Sequence, residues 1–251
     1  MSKRSGHAIL LSTRMLADQG YLATLLTEEF GLVRGLLRKV DGLCAGDTVR
    51  FEHTRRLQGQ LGRLTLEVVV SRAALMFTTP VATMAANHLA ETCHHVLPED
   101  HPYPELYAAS VGVWHGTSPW WLRVAEWERT LLTSIGYGLS LADDPVPCPM
   151  GEQLMYVSPT SGRAVSAHVG APYAARLLPL PSVWGGPWVD DATDSRHALN
   201  LTGTFLHKAW QGKALTARPR LMEHLALQER LPSHETPLAD GHGAGQHVRY
   251  G

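Results

Sequence analysis

The chain has 251 residues, 44% of them hydrophobic, and its 22 Lys/Arg nearly balance its 23 Asp/Glu. A chain of this size and composition buries a real core, which excludes disorder as its main state, and its overall charge of −1 singles out neither nucleic acid nor a membrane surface as partner. The average hides an asymmetry: residues 1–72 hold 11 Lys/Arg against 7 Asp/Glu (+4), and the rest hold 11 against 16 (−5).

The first 72 residues read as strands. "HAILLST" and "YLATLLTEEF" are apolar runs of strand length bounded by Gly6, Gly20 and Gly31. "GLVRGLLRK" (31–39) follows, with three cations among leucines; its Leu32/Leu36, Val33/Leu37 and Arg34/Arg38 pairs also fit a helix, and its two glycines and its neighbours argue for strand. "TVRFEH" alternates Val49, Phe51 and His53 against Thr48, Arg50 and Glu52, and "LTLEVVVS" alternates Leu64, Leu66, Val68 and Val70 against Thr65, Glu67, Val69 and Ser71. That period of two is a half-buried antiparallel strand. Four or five strands in so short a stretch predict a small barrel, whose closure removes exposed edges.

From Pro80 the period changes. "PVATMAANHLAETCHHVL" places Val81, Met84, Ala85, Leu89, Thr92 and Val96 at helical spacing, with Pro80 in a first turn and Pro98 as a stop. "PELYAASVGVWHG" and "SPWWLRVAEWERTLLTSIGYG" continue the pattern; in the second, Ser118 is the expected N-cap, Pro119 the first helical residue, and Gly136 or Gly138 the end. Residues 143–188 are rich in Pro and Gly, with a hairpin expected in "MYVSPTSGRAVS" (turn Pro159 to Gly162) and a loop in "PLPSVWGGPW". Helix returns in "DSRHALNLTGTFLHKAWQ" and "PRLMEHLALQERL", and the polar, glycine-rich end from Pro232 reads as a disordered tail. The expected organisation is therefore α+β: a barrel over residues 1–78, a helical domain over 79–231 with an irregular insert at about 143–188, and a tail over 232–251.

Three widely spaced cysteines (Cys44, Cys93, Cys148) form neither a disulfide framework nor a CxxC pair, which predicts a reduced, cytoplasmic setting. The apolar run in "MSKRSGHAILLSTRM" is too short for a signal-peptide core, and no segment approaches the ~18–20 apolar residues of a membrane span. His94, His95, Glu99, Asp100 and His101 cluster beside Cys93, but adjacent helical histidines point about 100° apart and do not converge on one ion, so no metal is expected. There is no Gly-x-Ser-x-Gly elbow, no phosphate-cradling glycine loop and no dinucleotide fingerprint, so no catalytic residue and no cofactor is assigned. A hydrolase built on one of the many His/Asp pairs would need activity abolished by a single His substitution.

The basic residues Arg34, Arg38, Lys39, Arg50, Arg55, Arg56 and Arg63 fall within 30 positions. On one side of a small barrel they would track a phosphate backbone through counterion release; the plainer alternative is an ordinary solvated face. Aromatics for base stacking are few in this region: Tyr21, Phe30 and Phe51.

"RVAEWERTLLTSIGYGLSLADDPVPC" resembles the central signature of the bacterial RecO family of DNA repair proteins, and "YVSPTSGRAVSAHVGAPYAARLLPLPSVW" is similar to the segment that follows it in alphaproteobacterial members. "GHAILLSTRMLADQGYLATLLTEEFGLVRGLLRK" resembles that family's first three strands. The likeness runs in order from about residue 6 to residue 225. It implies an oligonucleotide-binding (OB) barrel joined to a helical domain, in a non-enzymatic protein that binds single- and double-stranded DNA, anneals complementary strands and helps load recombinase in the RecF-type pathway, at the nucleoid. The implied partners are RecR and the acidic C-terminal tail of the single-strand-binding protein. An acidic peptide ending in an apolar residue needs an apolar groove beside a cation; Arg123, Trp127 and Arg129 on the signature helix are the candidates, core packing being the alternative for Trp127. Two departures stand out. The loop after the third strand, "KVDGLCAGDTV", is shorter and less basic than the family's, and where some members hold zinc through four cysteines only Cys148 is present. The first departure leaves room for a scaffold that docks RecR and single-strand-binding protein with weak DNA affinity.

Overall fold

The computed structural model describes residues 2–17, 20–56, 61–142, 152–213 and 215–230. Strands β1 (Ser2–Met15), β2 (Tyr21–Thr27), β3 (Gly31–Leu37), β4 (Thr48–Arg55) and β5 (Gly62–Val70) close into a barrel in the order β1-β2-β3-β5-β4, with β4 returning to β1. β1 serves both neighbours, pairing β4 through residues 2–9 and β2 through residues 8–15, with an irregularity between Leu10 and Ser12 where it bends. β3 and β5 close the barrel in parallel through Gly35↔Gly62 and Leu36↔Arg63. The seam needs its glycines: a Cβ on Gly62 would lie 2.1 Å from His53 Nε2, and one on Gly35 2.7 Å from Leu64 Cγ. The helical spacing in "GLVRGLLRK" is therefore overridden, and the stretch is strand β3 and its exit.

Two cores explain the two kinds of strand. Ala8, Leu10, Ala23, Leu25, Val33, Leu37, Val49, Phe51 and Leu64 fill the barrel, while Ile9, Leu11, Leu26 and Leu32 face outward and join the core of the helices. Residues 8–11 of β1 and most of β2 and β3 are covered on both faces, so these stretches read as apolar runs; β4 has one face in water and alternates.

The helical part begins with a short helix not foreseen in the sequence, α1 (Ala73–Thr78), followed by α2 (Pro80–Val96), α3 (Pro104–His115) and α4 (Trp120–Ser134). α2 buries Val81, Ala85, Leu89 and Thr92 as its periodicity predicts, but also Ala82, Ala86, His88 and Cys93, because it packs on β1 and on a later helix as well. α4 corrects the expected start: Pro119 is the cap, extended at ψ 148°, its carbonyl accepting from Leu122 N and Arg123 N, and Ser118 lies outside. Its end is a Schellman turn, with Gly136 at φ +84° and the Gly136 and Tyr137 amides donating to Thr133 O and Leu132 O.

The insert holds the expected hairpin, β6 (Leu154–Val157) with β7 (Ala164–Ser166), then α5 (Ala167–Gly170). "PLPSVWGGPW" is more ordered than a loop: β8 (Leu178–Pro179) pairs with β6, and a 3-10 turn spans Ser182–Trp184. Asp194 on α6 (Asp191–Ala209) holds that turn, accepting from Ser182 N, Ser182 Oγ and Val183 N at 2.5, 2.8 and 3.2 Å. α7 (Ala217–Arg230) completes the domain. The tail expected over 232–251 and Cys148 lie outside the described residues.

At the centre, Glu128 on α4 is wholly buried and accepts from Arg218 Nε and Nη2 (2.7 and 3.0 Å) and from Thr202 Oγ1; His88 Nε2 lies 2.8 Å away. Burial pushes the Glu128 carboxyl up, but the Arg218 guanidinium and His88 outweigh it and hold it at about 2. One carboxylate thus ties together α2, α4, α6 and α7. It faces no substrate, since neither Glu128 nor His88 is exposed.

Candidate nucleic-acid interface

The pleat decides which barrel side chains point outward. Residues opposite one another across a sheet share a face, and the pairs Arg14↔Leu22, Leu22↔Leu36, Leu36↔Arg63 and Arg63↔Thr54 run across all five strands. Their inward neighbours Leu37 and Leu64 lie in the barrel core, so this row is on the outside. Arg14 and Arg63 are exposed, and Leu22 and Leu36 between them are half-buried. Arg38 and Lys39, both exposed, leave β3 just beyond the row, and exposed Arg56 follows β4. Arg14, Arg38, Lys39, Arg56 and Arg63 have no ion pair among the described residues.

The other three predicted cations are committed. Arg34 is the next outward residue on β3 toward the helices; its Nη1 bonds Glu99 Oε1 at 3.1 Å and its Nη2 approaches His94 Nδ1 at 3.0 Å. Arg55 Nη2 donates to Asp100 Oδ2 at 3.0 Å, and Arg4 from β1 holds the other oxygen. Arg50 pairs with Glu67 on the neighbouring strand at 3.2 Å. The basic stretch of sequence is therefore two populations, one without ion pairs among the described residues and one paired with acids, of which Arg50 stays 60% exposed. His94 and His95 do diverge, His94 toward Arg34 and His95 toward a cleft shared with Tyr137 and Trp210.

The loop after β3 is anchored rather than basic. Of its two acids, Asp41 is exposed and Asp47 is buried, accepting from Cys44 N (2.7 Å) and Arg72 N (2.6 Å), so Asp47 is a structural clasp and does not face the outer row. None of the three barrel aromatics offers an open ring: Phe51 is 1% exposed, Phe30 meets it edge-on at 6.4 Å with the Arg4 guanidinium over its own face, and Tyr21 packs on the barrel core. The outer row thus combines phosphate-binding charge with aliphatic surface, without stacking platforms. Arg14 was missed in the sequence because it stands 20 positions before Arg34; only the β1–β2–β3–β5 pairing brings it level with Arg63.

On α4 the predicted peptide-binding residues do not converge. Trp127 is inside the core, its Nε1 donating to Ser110 Oγ at 2.8 Å and its ring edge-on to His88. Arg123 stacks on Trp120 (3.9 Å) and donates to Val113 O (2.9 Å), fastening α3 to α4; burial pushes its guanidinium pKa down. Arg129 is more open, paired with Glu126 (2.8 Å) and over the Trp184 ring at 5.5 Å, while Trp184 Nε1 donates to Glu126 Oε1. The accessible cation–aromatic pair is therefore Arg129 with Trp184, a partner on the insert that helical spacing could not supply.

With this geometry in place, comparison with known proteins is specific. The family described as "Recombination protein O C terminal" matches residues 78–218. "DNA repair protein RecO" of Paracoccus denitrificans is 34% identical over 235 residues, covering 88% of this chain and 95% of that relative. Proteins of the same name from Rhodospirillum centenum and Anaplasma marginale are 34% and 30% identical, each covering 80% of this chain and 84% and 88% of their own lengths.

Proposed function

This chain belongs to the recombination protein O (RecO) family, and on that premise we propose that it is a DNA-binding, strand-annealing mediator of recombinational repair with no enzymatic step of its own. The observation that carries the proposal is the outer row: Arg14 and Arg63 at its ends and Arg38 and Lys39 beside it, all exposed and unpaired among the described residues, over half-buried Leu22 and Leu36. Annealing requires that phosphate charge be neutralised so two like-charged strands approach, and that the bases stay accessible. A surface of cations without open aromatic rings meets both conditions, because it takes hold of the backbone and leaves the bases free. The helical domain docks the pathway's other proteins: RecR, and the acidic C-terminal tail of the single-strand-binding protein on the Arg129–Trp184 surface.

Fluorescence anisotropy of a labelled single-stranded oligonucleotide over a salt series tests the reading. Four phosphate contacts predict a log–log slope of about −3, at ~0.7 per contact, and Arg38→Gln with Lys39→Gln flattens it by about 1.4. An unchanged slope in the double variant removes DNA from this face; no binding even at low salt replaces the mediator with a docking scaffold.

A further inference from the structure

The acids that hold Arg34 and Arg55 come from one place. The loop joining α2 to α3 lies directly on the start of β3: Leu32 and Glu99 form a bridge, Asp100 N donates to Leu32 O at 3.3 Å, and a Cβ on Gly31 would stand 1.7 Å from His101 O. Glycine at 31, at φ +64°, is what lets the loop seat so closely. From this seat Glu99 reaches Arg34, and Asp100 reaches both Arg4 and Arg55. The carboxylates are the outer partners: Glu99 and Asp100 side chains are 48% and 36% exposed, against 24%, 19% and 12% for Arg34, Arg4 and Arg55. Two carboxylates therefore cover three guanidiniums that cross from β1 to β3 and β4.

The covered group also borders the open row. It does so at Arg34, the next outward residue to Leu36 on β3, while Arg4 and Arg55 share the pleat face of Phe51 and His53 and meet the loop through Asp100. We propose that the Glu99–Asp100 loop is a built-in competitor for nucleic acid: its carboxylates occupy the positions of two backbone phosphates, and rotating them away extends the DNA track onto Arg34, Arg4 and Arg55. This rests on the reading that the barrel binds DNA. No backbone movement is needed, since the exposed partners are the ones that leave. Each phosphate that enters takes over the bonds its carboxylate made, a charge-for-charge exchange that DNA, with its many linked phosphates, wins only when it is already held by the open row. The loop thereby discriminates against short or isolated anions. Asp100 favours the closed state: burial pushes its carboxyl up, but hydrogen bonds from Arg4 and Arg55 outweigh it and keep it below the usual aspartate range.

The test is anisotropy of the same oligonucleotide with Glu99→Gln/Asp100→Asn, with circular dichroism to verify the fold. Three freed cations steepen the salt slope by up to about 2 and tighten binding; Arg34→Gln added to that background takes back about 0.7 of the slope. Glu99→Gln alone, which removes one exposed ion pair and leaves the Asp100 contacts intact, steepens it by about 0.7. Glu105→Gln, an exposed acid in the first turn of α3, measures what any loss of negative charge does. If Glu99→Gln and the double variant match Glu105→Gln in slope and affinity, or bind more weakly, the loop is only a staple between barrel and helices and the proposal is overturned. Absence of salt-dependent binding in the unaltered protein would instead refute the barrel as a DNA surface, so the two failures are distinct.

Discussion

Glu128→Gln should be the most damaging near-isosteric change in the helical domain. It keeps the side chain's shape but removes the charge that accepts two bonds from Arg218 and one from Thr202, leaving a guanidinium that is 14% exposed facing an amide. The magnitude follows from the carboxyl's titration: held at about 2 rather than the ordinary 4.5, the ionised group contributes about 3 kcal/mol. That agrees with the ~3–5 kcal/mol lost when one partner of a buried pair is removed. The sign with pH is set by the direction of the shift. Because the folded-state value is depressed, the contribution is complete above about pH 4.5 and is lost as pH falls toward 2. Urea denaturation of wild type and variant at pH 7, 5, 4 and 3.5 should therefore show a gap of about 3 kcal/mol that is constant down to pH 5 and narrows below pH 4.5. A gap under ~1 kcal/mol at pH 7, or one that does not narrow in acid, would refute the view that this carboxylate is an ionised tie between four helices.

Two further outcomes test the barrel. Gly62→Ala puts a methyl 2.1 Å from His53 Nε2 and 2.8 Å from Thr54 O, and because the second neighbour is backbone the closure seam has to shift; a loss of about 1–3 kcal/mol is expected by thermal or urea denaturation, and an unchanged midpoint would refute the tight closure of β3 on β5. Arg14→Gln, far in sequence from the other cations but level with Arg63 in the sheet, should flatten the oligonucleotide salt slope by about 0.7; a slope equal to wild type would take β1 out of the track.

The contrast between Arg38 and Arg34 shows what could be read in advance. They sit four residues apart in "GLVRGLLRK" with the same chemistry, yet one is open and the other is held by Glu99, 65 positions away. Element types were legible because they depend on local periodicity: alternation in β4, helical spacing in α2, the proline and glycine limits of α4. Even the doubly covered middle of β1 and the strand β2 announced themselves as apolar runs. The family was legible for a related reason, since order and spacing of motifs along the chain survive without coordinates.

What tertiary structure alone decided was the state of each charge. His88, read only as part of the helix α2, turns out to meet Glu128; Trp127, a candidate contact, turns inward to Ser110; Arg129 finds Trp184 on the insert. A side chain's backbone neighbours fix whether it lies on helix or strand, but its electrostatic partner comes from wherever the chain folds back. A cation is free or bound according to what lies within about 4 Å in space, a range that carries no trace in sequence separation. The sequence by itself thus determined a barrel, a helical domain and a basic first third, and the packing of one acidic loop against β3 decided that Arg34 and Arg55 are held while Arg38 is open.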